Sequence, residues 1–515
     1  MDQLSPTIIL VVIIGYFLVL IGISYFTSGK GDNKTFFTAN KNSPWLLVAI
    51  GMIGASLSGV TFVSIPGLIG KESGPNINFS YMQMVFGYLV GYAFIALVLL
   101  PIYYKYNLTS IYTYLDKRLG NMAYKTGAAY FLLSRVIQAA FRLYLVAMIL
   151  DIFVTGPLGI PFVVTVVITI ILIWVYTFKG GIKTIVITDT FQTLSMLFAV
   201  ALTIYAITDN MGLSFSEMWG IMNDNGYTQI FYFEDGWNNP NNFFKQFISG
   251  ALIAIVMTGL DQDMMQKNIT CRTIKDAQKN VFTFSIILVF ANLLFLTLGA
   301  LLYIFAASKG IDVPQRTDQL FPLIALDYLT PAVGILFILG LVAAAYSSAD
   351  SALTSLTTSF CVDFLGMNKE QDNSTQSDED TSDKLKQKDF TLFQAKDNTR
   401  TRLFVHIGWS IILLLIILAF NAFNDDSVIN KIFVAATYTY GPILGLFSFA
   451  ILTNRITKSE MIIPICLAAP ILCYIINTYS PSILGGFTWG YMILALNGML
   501  TFLGLYAFST QRSNG

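Results

Sequence analysis

Histidine is almost missing from this 515-residue chain, with His406 its single representative. A proton relay or metal centre built on imidazole therefore has little to work with. Cysteine is scarce too. Of the four, Cys466 and Cys473 stand two turns apart on one predicted helix, too far to bridge, and Cys271 and Cys361 fall at predicted helix ends. No C-x-x-C pair suggests a metal site. Charged residues make up only 12% of the chain, about half the usual share in soluble proteins. Lys+Arg and Asp+Glu balance at 30 each, and no basic patch stands apart from the apolar segments, which argues against a nucleic-acid partner. The chain lacks a G-x-x-x-x-G-K-[ST] loop, so ATP is not expected to power it. No nucleophile–base pair or metal cluster converges, so an enzyme is not expected either.

What the chain does have is apolar residues, 55% of the total, gathered in blocks. A bilayer core about 30 Å thick takes about 20 consecutive apolar residues in a helix. Thirteen candidate spans recur, at 6–28, 45–70, 78–104, 121–154, 161–179, 184–208, 242–266, 280–307, 332–365, 403–422, 431–453, 459–478 and 487–509. The first has too long an apolar stretch for a signal peptide, lacks a basic leader and is read as a retained span. The expectation is an all-α membrane protein whose residues 1–515 form a single polytopic unit, with the lipid bilayer as its surroundings and the cell membrane, as in a bacterial inner membrane, as its location.

Lysine and arginine set the orientation. With the N-terminus outside, 23 of them fall in inner loops, Lys267 among them, and five fall outside: Lys71, Lys245, Lys309, Arg316 and Lys431. The positive-inside rule then places the N-terminus outside and the C-terminus inside. The hydrophilic stretch 366–402 has the Ser/Asp/Gln/Lys composition of a flexible loop, on the cytoplasmic side. The segment 209–241, placed outside, is expected near the outer mouth.

Three spans carry the chemistry. In the second, residues 54–67 (GASLSGVTFVSIPG) crowd small, hydroxyl and helix-breaking residues into mid-membrane. Backbone freed there must be met by protein or line a cavity, and broken helices of this kind offer carbonyls to cations and N-termini to anions. Close helix packing by small residues is the alternative. In the ninth span, Ala344, Ser347, Ser348, Asp350, Ser351 and Thr354 share one helical face. A carboxylate at mid-membrane needs a partner or an ion, and oxygen ligands suit a hard cation such as sodium. In the sixth span, Asp189 sits in Thr188-Asp189-Thr190-Phe191-Gln192, with Lys183 or Lys179 as its alternative, purely interfacial partner. The fourth span holds Arg135 and Arg142, two turns apart with Gln138 between them. Each arginine could pair with a carboxylate of the protein or fork onto one borne by a substrate, and a structural pairing is favoured for at least one.

Together these segments resemble the solute:sodium symporter family. The resemblance covers nearly the whole chain: the broken-helix motif, Lys179-Gly180-Gly181, Thr188-Asp189-x-x-Gln192, Gly259-Leu260-Asp261-Gln262-x-x-x-Gln266, Asp276-Ala277-Gln278-Lys279 and the Ser347-Ser348 pair, in order. It implies a LeuT-like core of two inverted five-helix repeats, at 45–208 and 242–453, with one extra helix before (6–28) and two after (459–509). It also implies Na+ as coupled ion and a small solute as cargo. Carried over by position, the main sodium site would be Gly54, Leu57, Ala344, Ser347 and Ser348. A second would use Asp189, Ser347, Asp350 and Ser351, although family members often place a small hydroxyl residue where Asp350 stands. The sequence from Leu57 to Pro66 is more similar to the sialic acid and monocarboxylate branch than to the galactose branch. At positions that contact sugar on the seventh span, Ala254, Met257 and Thr258 stand instead. An organic anion meeting Arg135 or Arg142 is the leading expectation, with Ser56, Ser58, Thr61, Gln83 and Gln138 as further substrate candidates. A neutral sugar or polyol symporter, and a non-coupling sensor or channel of the same fold, are the alternatives.

Overall fold

Helices dominate the computed structural model, which describes residues 5–27, 43–70, 76–108, 110–177, 181–234, 236–367, 399–423 and 428–511. After α1 (Pro6–Thr27), the second predicted span is two half-helices, α2 (Trp45–Ser56) and α3 (Gly59–Leu68). There follow α4 (Asn78–Lys105), a short α5 (Thr113–Leu119), α6 (Asn121–Thr155), α7 (Phe162–Thr177) and α8 (Gly181–Met211). A surface helix, α9 (Phe215–Asp224), precedes a second bent pair, α10 (Phe243–Gly259) and α11 (Gln262–Asn268). Then come α12 (Ile274–Lys309), α13 (Pro331–Phe364) and α14 (Thr399–Phe423). A third pair, α15 (Val428–Thr439) and α16 (Gly441–Leu452), leads to α17 (Ser459–Ile483) and α18 (Gly490–Ala507). Two three-residue strands, Arg455–Thr457 and Ser509–Gln511, pair antiparallel and tie the start of α17 to the end of α18.

Among the described residues, nine helices are long and apolar enough to cross a membrane, or twelve with each bent pair as one span; Phe162–Val175 is a shorter apolar helix at the predicted fifth span. The distribution of polarity is the reverse of a water-soluble protein. Leu18, Phe26, Leu415 and Leu467 are each more than half exposed, while Asp189, Asp261, Asp350 and Lys267 have no exposed surface. Apolar faces of this extent are stable in lipid and not in water, and the charges are collected where other helices can meet them.

Two things place the site. The helix α8 runs between α13 and α2, and α10 lies along α4. The second contact is backbone on backbone: a Cβ on Gly87 would stand 2.1 Å from the Phe247 carbonyl oxygen, and one on Gly250 2.2 Å from that of Met84. Only glycine allows that approach.

Two expectations change here. The seventh predicted span, 242–266, is not one rod but α10 and α11, bent by 69°. Lys267, counted as a loop charge, belongs to α11 and is wholly buried. The bulk of the 366–402 loop (368–398), together with Lys179 and Gly180 of the predicted motif, lies outside the described residues.

Candidate functional site

The second span does break where its Gly/Ser content predicts. α2 makes its last helical bond from Leu57 N–H to the Ile53 carbonyl at 2.6 Å, and α3 its first from Phe62 N–H to the Ser58 carbonyl at 3.0 Å. Between them Leu57 (φ −83°, ψ 76°) and Ser58 (φ −75°, ψ 177°) leave the helical region, and the axes bend by 56°. A break of this kind strips the carbonyls of residues 54–57 and the amides just after it of helical partners. Arg142 Nη1 donates to the Ala55 carbonyl at 3.2 Å. The carbonyls of Gly54 and Leu57 accept no hydrogen bond from the described residues.

The break is pressed against α8 and α13. Thr193 Oγ1, on α8, donates to the Ile50 carbonyl at 3.1 Å. A Cβ on Gly54 would stand 2.2 Å from Thr193 Oγ1 and 3.1 Å from Ser347 Oγ, and one on Gly59 would stand 3.6 Å from the Ala345 Cα. Ala344, Ser347 and Ser348 are buried, and Ser348 Oγ turns back to the Ala345 carbonyl at 3.0 Å and that of Ala344 at 3.3 Å. Gly54 and Ser347 are therefore in close approach at this junction, with Ala344 and Ser348 buried on the same helix as Ser347.

On the neighbouring face of α13, Ser347 Oγ donates to Asp189 Oδ1 at 2.6 Å. Asp189 Oδ2 pairs with Lys267 Nζ at 2.6 Å, both side chains having no exposed surface. Lys267 thus takes the role considered for Lys183 or Lys179. Asp350 and Ser351 are buried on the same helix, and Ser351 Oγ has no hydrogen-bond partner among the described residues.

A cavity of about 730 Å³, part of it open solvent, begins at the break. Ser56, Ser58, Thr61, Arg135 and Arg142 are in its wall, as are Ala254, Met257 and Thr258. Its wall joins the positive N-terminal end of α3 to a guanidinium, a combination suited to an anion. Gln83 and Gln138 are not in that wall. Gln83 Nε2 donates to the Asn241 carbonyl at 2.9 Å, and Tyr232 N–H donates to Gln83 Oε1 at 3.2 Å, so Gln83 anchors the segment before α10. Gln138 is buried within α6. Arg135 forms a buried ion pair with Asp263 of α11, which is the structural pairing favoured for one of the two arginines.

The other two breaks are filled by the protein itself. At the second, Asp261 caps α11 by accepting from Asp263 N–H at 2.9 Å and Met264 N–H at 3.3 Å. Tyr103 and Tyr112 hydroxyls, each at 2.8 Å, satisfy the freed carbonyls of Gly259 and Leu260. Tyr440, at the third break, donates its hydroxyl to Asp261. Sequence reasoning missed these two breaks, Asp263 and Lys267; an acidic cap after Gly259, and Tyr440-Gly441-Pro442, were the available signals.

Comparison with known proteins gives a consistent picture. The model of the "Sodium:solute symporter family" matches residues 36–382. A Drosophila melanogaster protein named for sodium-dependent multivitamin transport is 25% identical over 70% of this chain, which spans 59% of that relative's length. The sodium/sialic acid symporter NanT of Aliivibrio fischeri is 24% identical over 67% of both chains. Among solved structures, the substrate-bound, outward-open state of a Na+-coupled sialic acid symporter superposes with a TM-score of 0.76 at 18% identity, covering 98% of this chain and 99% of that one. That likeness is one of fold.

Proposed function

Because this chain belongs to the sodium:solute symporter family, we propose that it couples inward movement of sodium to uptake of a small organic anion by alternating access. The observation that carries the proposal is the difference between the breaks. Tyrosines satisfy the freed carbonyls at Gly259 and Leu260, whereas those of Gly54 and Leu57 accept nothing from the described residues. Buried backbone oxygens without donors are costly unless a cation meets them. The main sodium site is then Gly54 and Leu57 from the break with Ala344, Ser347 and Ser348 from α13. A second cation position lies at Asp189, Ser347, Asp350 and Ser351.

The solute occupies the cavity beside the break. Its anionic group faces the N-terminus of α3 and Arg142, whose recorded bond is to a neutral carbonyl. Ser56, Ser58 and Thr61 supply hydroxyls, and Arg135 is held by Asp263 at the cavity wall. Sialic acids and monocarboxylates are the substrate classes favoured, since a neutral sugar would leave the Arg142 guanidinium in the wall without a counter-charge, whereas Arg135 already has Asp263. Thirteen spans, with the N-terminus outside and two inverted repeats at 45–208 and 242–453, complete the reading. The Lys/Arg asymmetry supports the orientation even after Lys267 is withdrawn from the loop tally.

Purified protein in proteoliposomes tests this. With an imposed inward sodium gradient, labelled sialic acid or lactate should accumulate above equilibrium, and collapse of the gradient should abolish accumulation. Accumulation of a neutral sugar instead would favour the sugar or polyol reading. Sodium-dependent conductance with no accumulation of any solute would favour a channel.

A further inference from the structure

Between Thr7 and Ser24 the helix α1 carries a single polar side-chain atom, the Tyr16 hydroxyl. Tyr16 stands in the middle of the buried stripe of α1, with Ile9, Ile13, Phe17 and Leu20, whereas Ile8, Val11, Ile14 and Leu18 are exposed. That stripe packs on α8 and α13. The Tyr16 ring stacks on Phe191 of α8 with centroids 6.2 Å apart, and the Phe17 ring meets Tyr346 of α13 edge-on at 4.7 Å. An otherwise apolar helix therefore delivers one hydroxyl into the seam between two helices of the site.

Helical spacing decides what that hydroxyl meets. Residues three and four places on from a given residue lie on its opposite flanks. On α8, Thr193 turns to α2 by donating to the Ile50 carbonyl, so Gln192 stands on the flank of Asp189 away from the break. On α13, Tyr346 faces α1, and Asp350 lies on that same flank of Ser347. The Tyr16 hydroxyl accordingly lies beside Gln192, with Asp350, Asp189 and Tyr346 around it. The Asp189–Ser347 bond thus has the break of the second span on one side and a cluster drawn from α1, α8 and α13 on the other.

Neither the Tyr16 hydroxyl nor either end of the Gln192 amide has a hydrogen-bond partner among the described residues. Gln192 exposes no surface and Tyr16 only 7%. Buried polar atoms are seldom left so, and an interior tyrosine hydroxyl normally finds a partner. A cation beside the Asp350 carboxylate would engage the amide oxygen and the phenolic oxygen together, an all-oxygen set that suits a hard ion. We propose that Tyr16 and Gln192 complete the second sodium site, with Asp350 as its charged ligand, so that α1, outside the two repeats, takes part in ion coupling. The inference rests on the sodium coupling proposed above and deepens it, adding two ligands and setting the ion on the α1 flank of Asp189.

Binding of radiolabelled sodium to the purified full-length protein, with choline chloride replacing sodium chloride, tests the site. The wild-type protein should bind two sodium ions per chain. Tyr16→Phe, which removes one oxygen and keeps the ring, should weaken one of them about tenfold and leave the other unchanged. Gln192→Leu should act on the same ion, whereas Gln192→Glu, which keeps an oxygen there, should retain both. Ser348→Ala should weaken the other ion, so that Tyr16→Phe with Ser348→Ala weakens both. Melting in choline shows that each variant folds, and a merely structural role would lower the melting temperature equally in choline and in sodium. Should Gln192→Leu fail to fold, Tyr16→Phe decides alone. Two sodium ions bound by Tyr16→Phe with wild-type affinities would overturn the inference and leave the coupling standing, as would a wild type that binds one sodium sensitive only to Ser348→Ala. A wild type that binds no sodium would overturn the coupling, and the inference with it.

Discussion

Ser348→Ala gives the sharpest test of the sodium site, because the structure separates its effect on binding from its effect on folding. In the fold, Ser348 Oγ bonds only one turn back, to the Ala345 and Ala344 carbonyls at 3.0 and 3.3 Å. Such helical back-bonds add little, so without sodium the loss in stability should stay below about 1 kcal/mol. With sodium bound, the same oxygen contacts a charge. Contacts of that kind contribute roughly 1.5–3 kcal/mol, and each 1.4 kcal/mol is about tenfold in affinity. The residue is 1% exposed, so no bulk water replaces the missing oxygen. The sodium concentration for half-maximal uptake should therefore rise about 10- to 100-fold. Melting of the purified protein reports the same change. At sodium about 100-fold above its dissociation constant the wild type gains about 2.7 kcal/mol, and a tenfold weaker site at that concentration gains only about 1.4 kcal/mol. An unchanged sodium midpoint, or a fall in melting temperature as large in choline as in sodium, would refute the assignment.

Gly54→Ala should destabilise the fold by about 1–3 kcal/mol by overpacking, since its methyl group would meet Thr193 Oγ1 at 2.2 Å; Gly22→Ala, which meets nothing within 4 Å, is the melting-temperature control and should leave it unchanged. Asp263→Asn should cost about 3–5 kcal/mol by stranding the Arg135 guanidinium in the interior. Arg135→Met with Asp263→Met should recover most of that, and strictly additive losses in a double-mutant cycle would count against the ion pair. Arg142→Ala should raise the half-saturating concentration of an organic acid at least about tenfold, a loss of about 1.4 kcal/mol, while sodium still stabilises the solute-free protein. Equal affinity for the acid in the variant would move the anion site elsewhere.

The first break was legible because it is written in composition: Gly54, Ser56, Ser58, Gly59, Pro66 and Gly67 accumulate within one apolar block. The second and third were not. α10 and α11 are divided by Asp261, a single cap at the end of an apolar run, and the third break turns on Tyr440 and Gly441 inside an otherwise continuous pattern. Gln83 became a substrate candidate through the family resemblance, as the nearest glutamine on the third span; in the fold its side chain is bonded to Asn241 and Tyr232 and stands outside the cavity wall.

Transfer of apolar surface into lipid acts residue by residue along a helix, and for that reason the membrane setting, the spans, the first kink and the hydroxyl face of α13 could be read from order and spacing alone. Which charges meet inside could not. Asp189 and Lys267 lie 78 residues apart, and Arg135 and Asp263 lie 128 apart; no local periodicity encodes such pairs. Only the packing of α6, α8, α11 and α13 decided that one arginine is locked to the protein, that another looks into the cavity, and that a lysine first counted among the loop charges sits on the carboxylate where a second ion was expected.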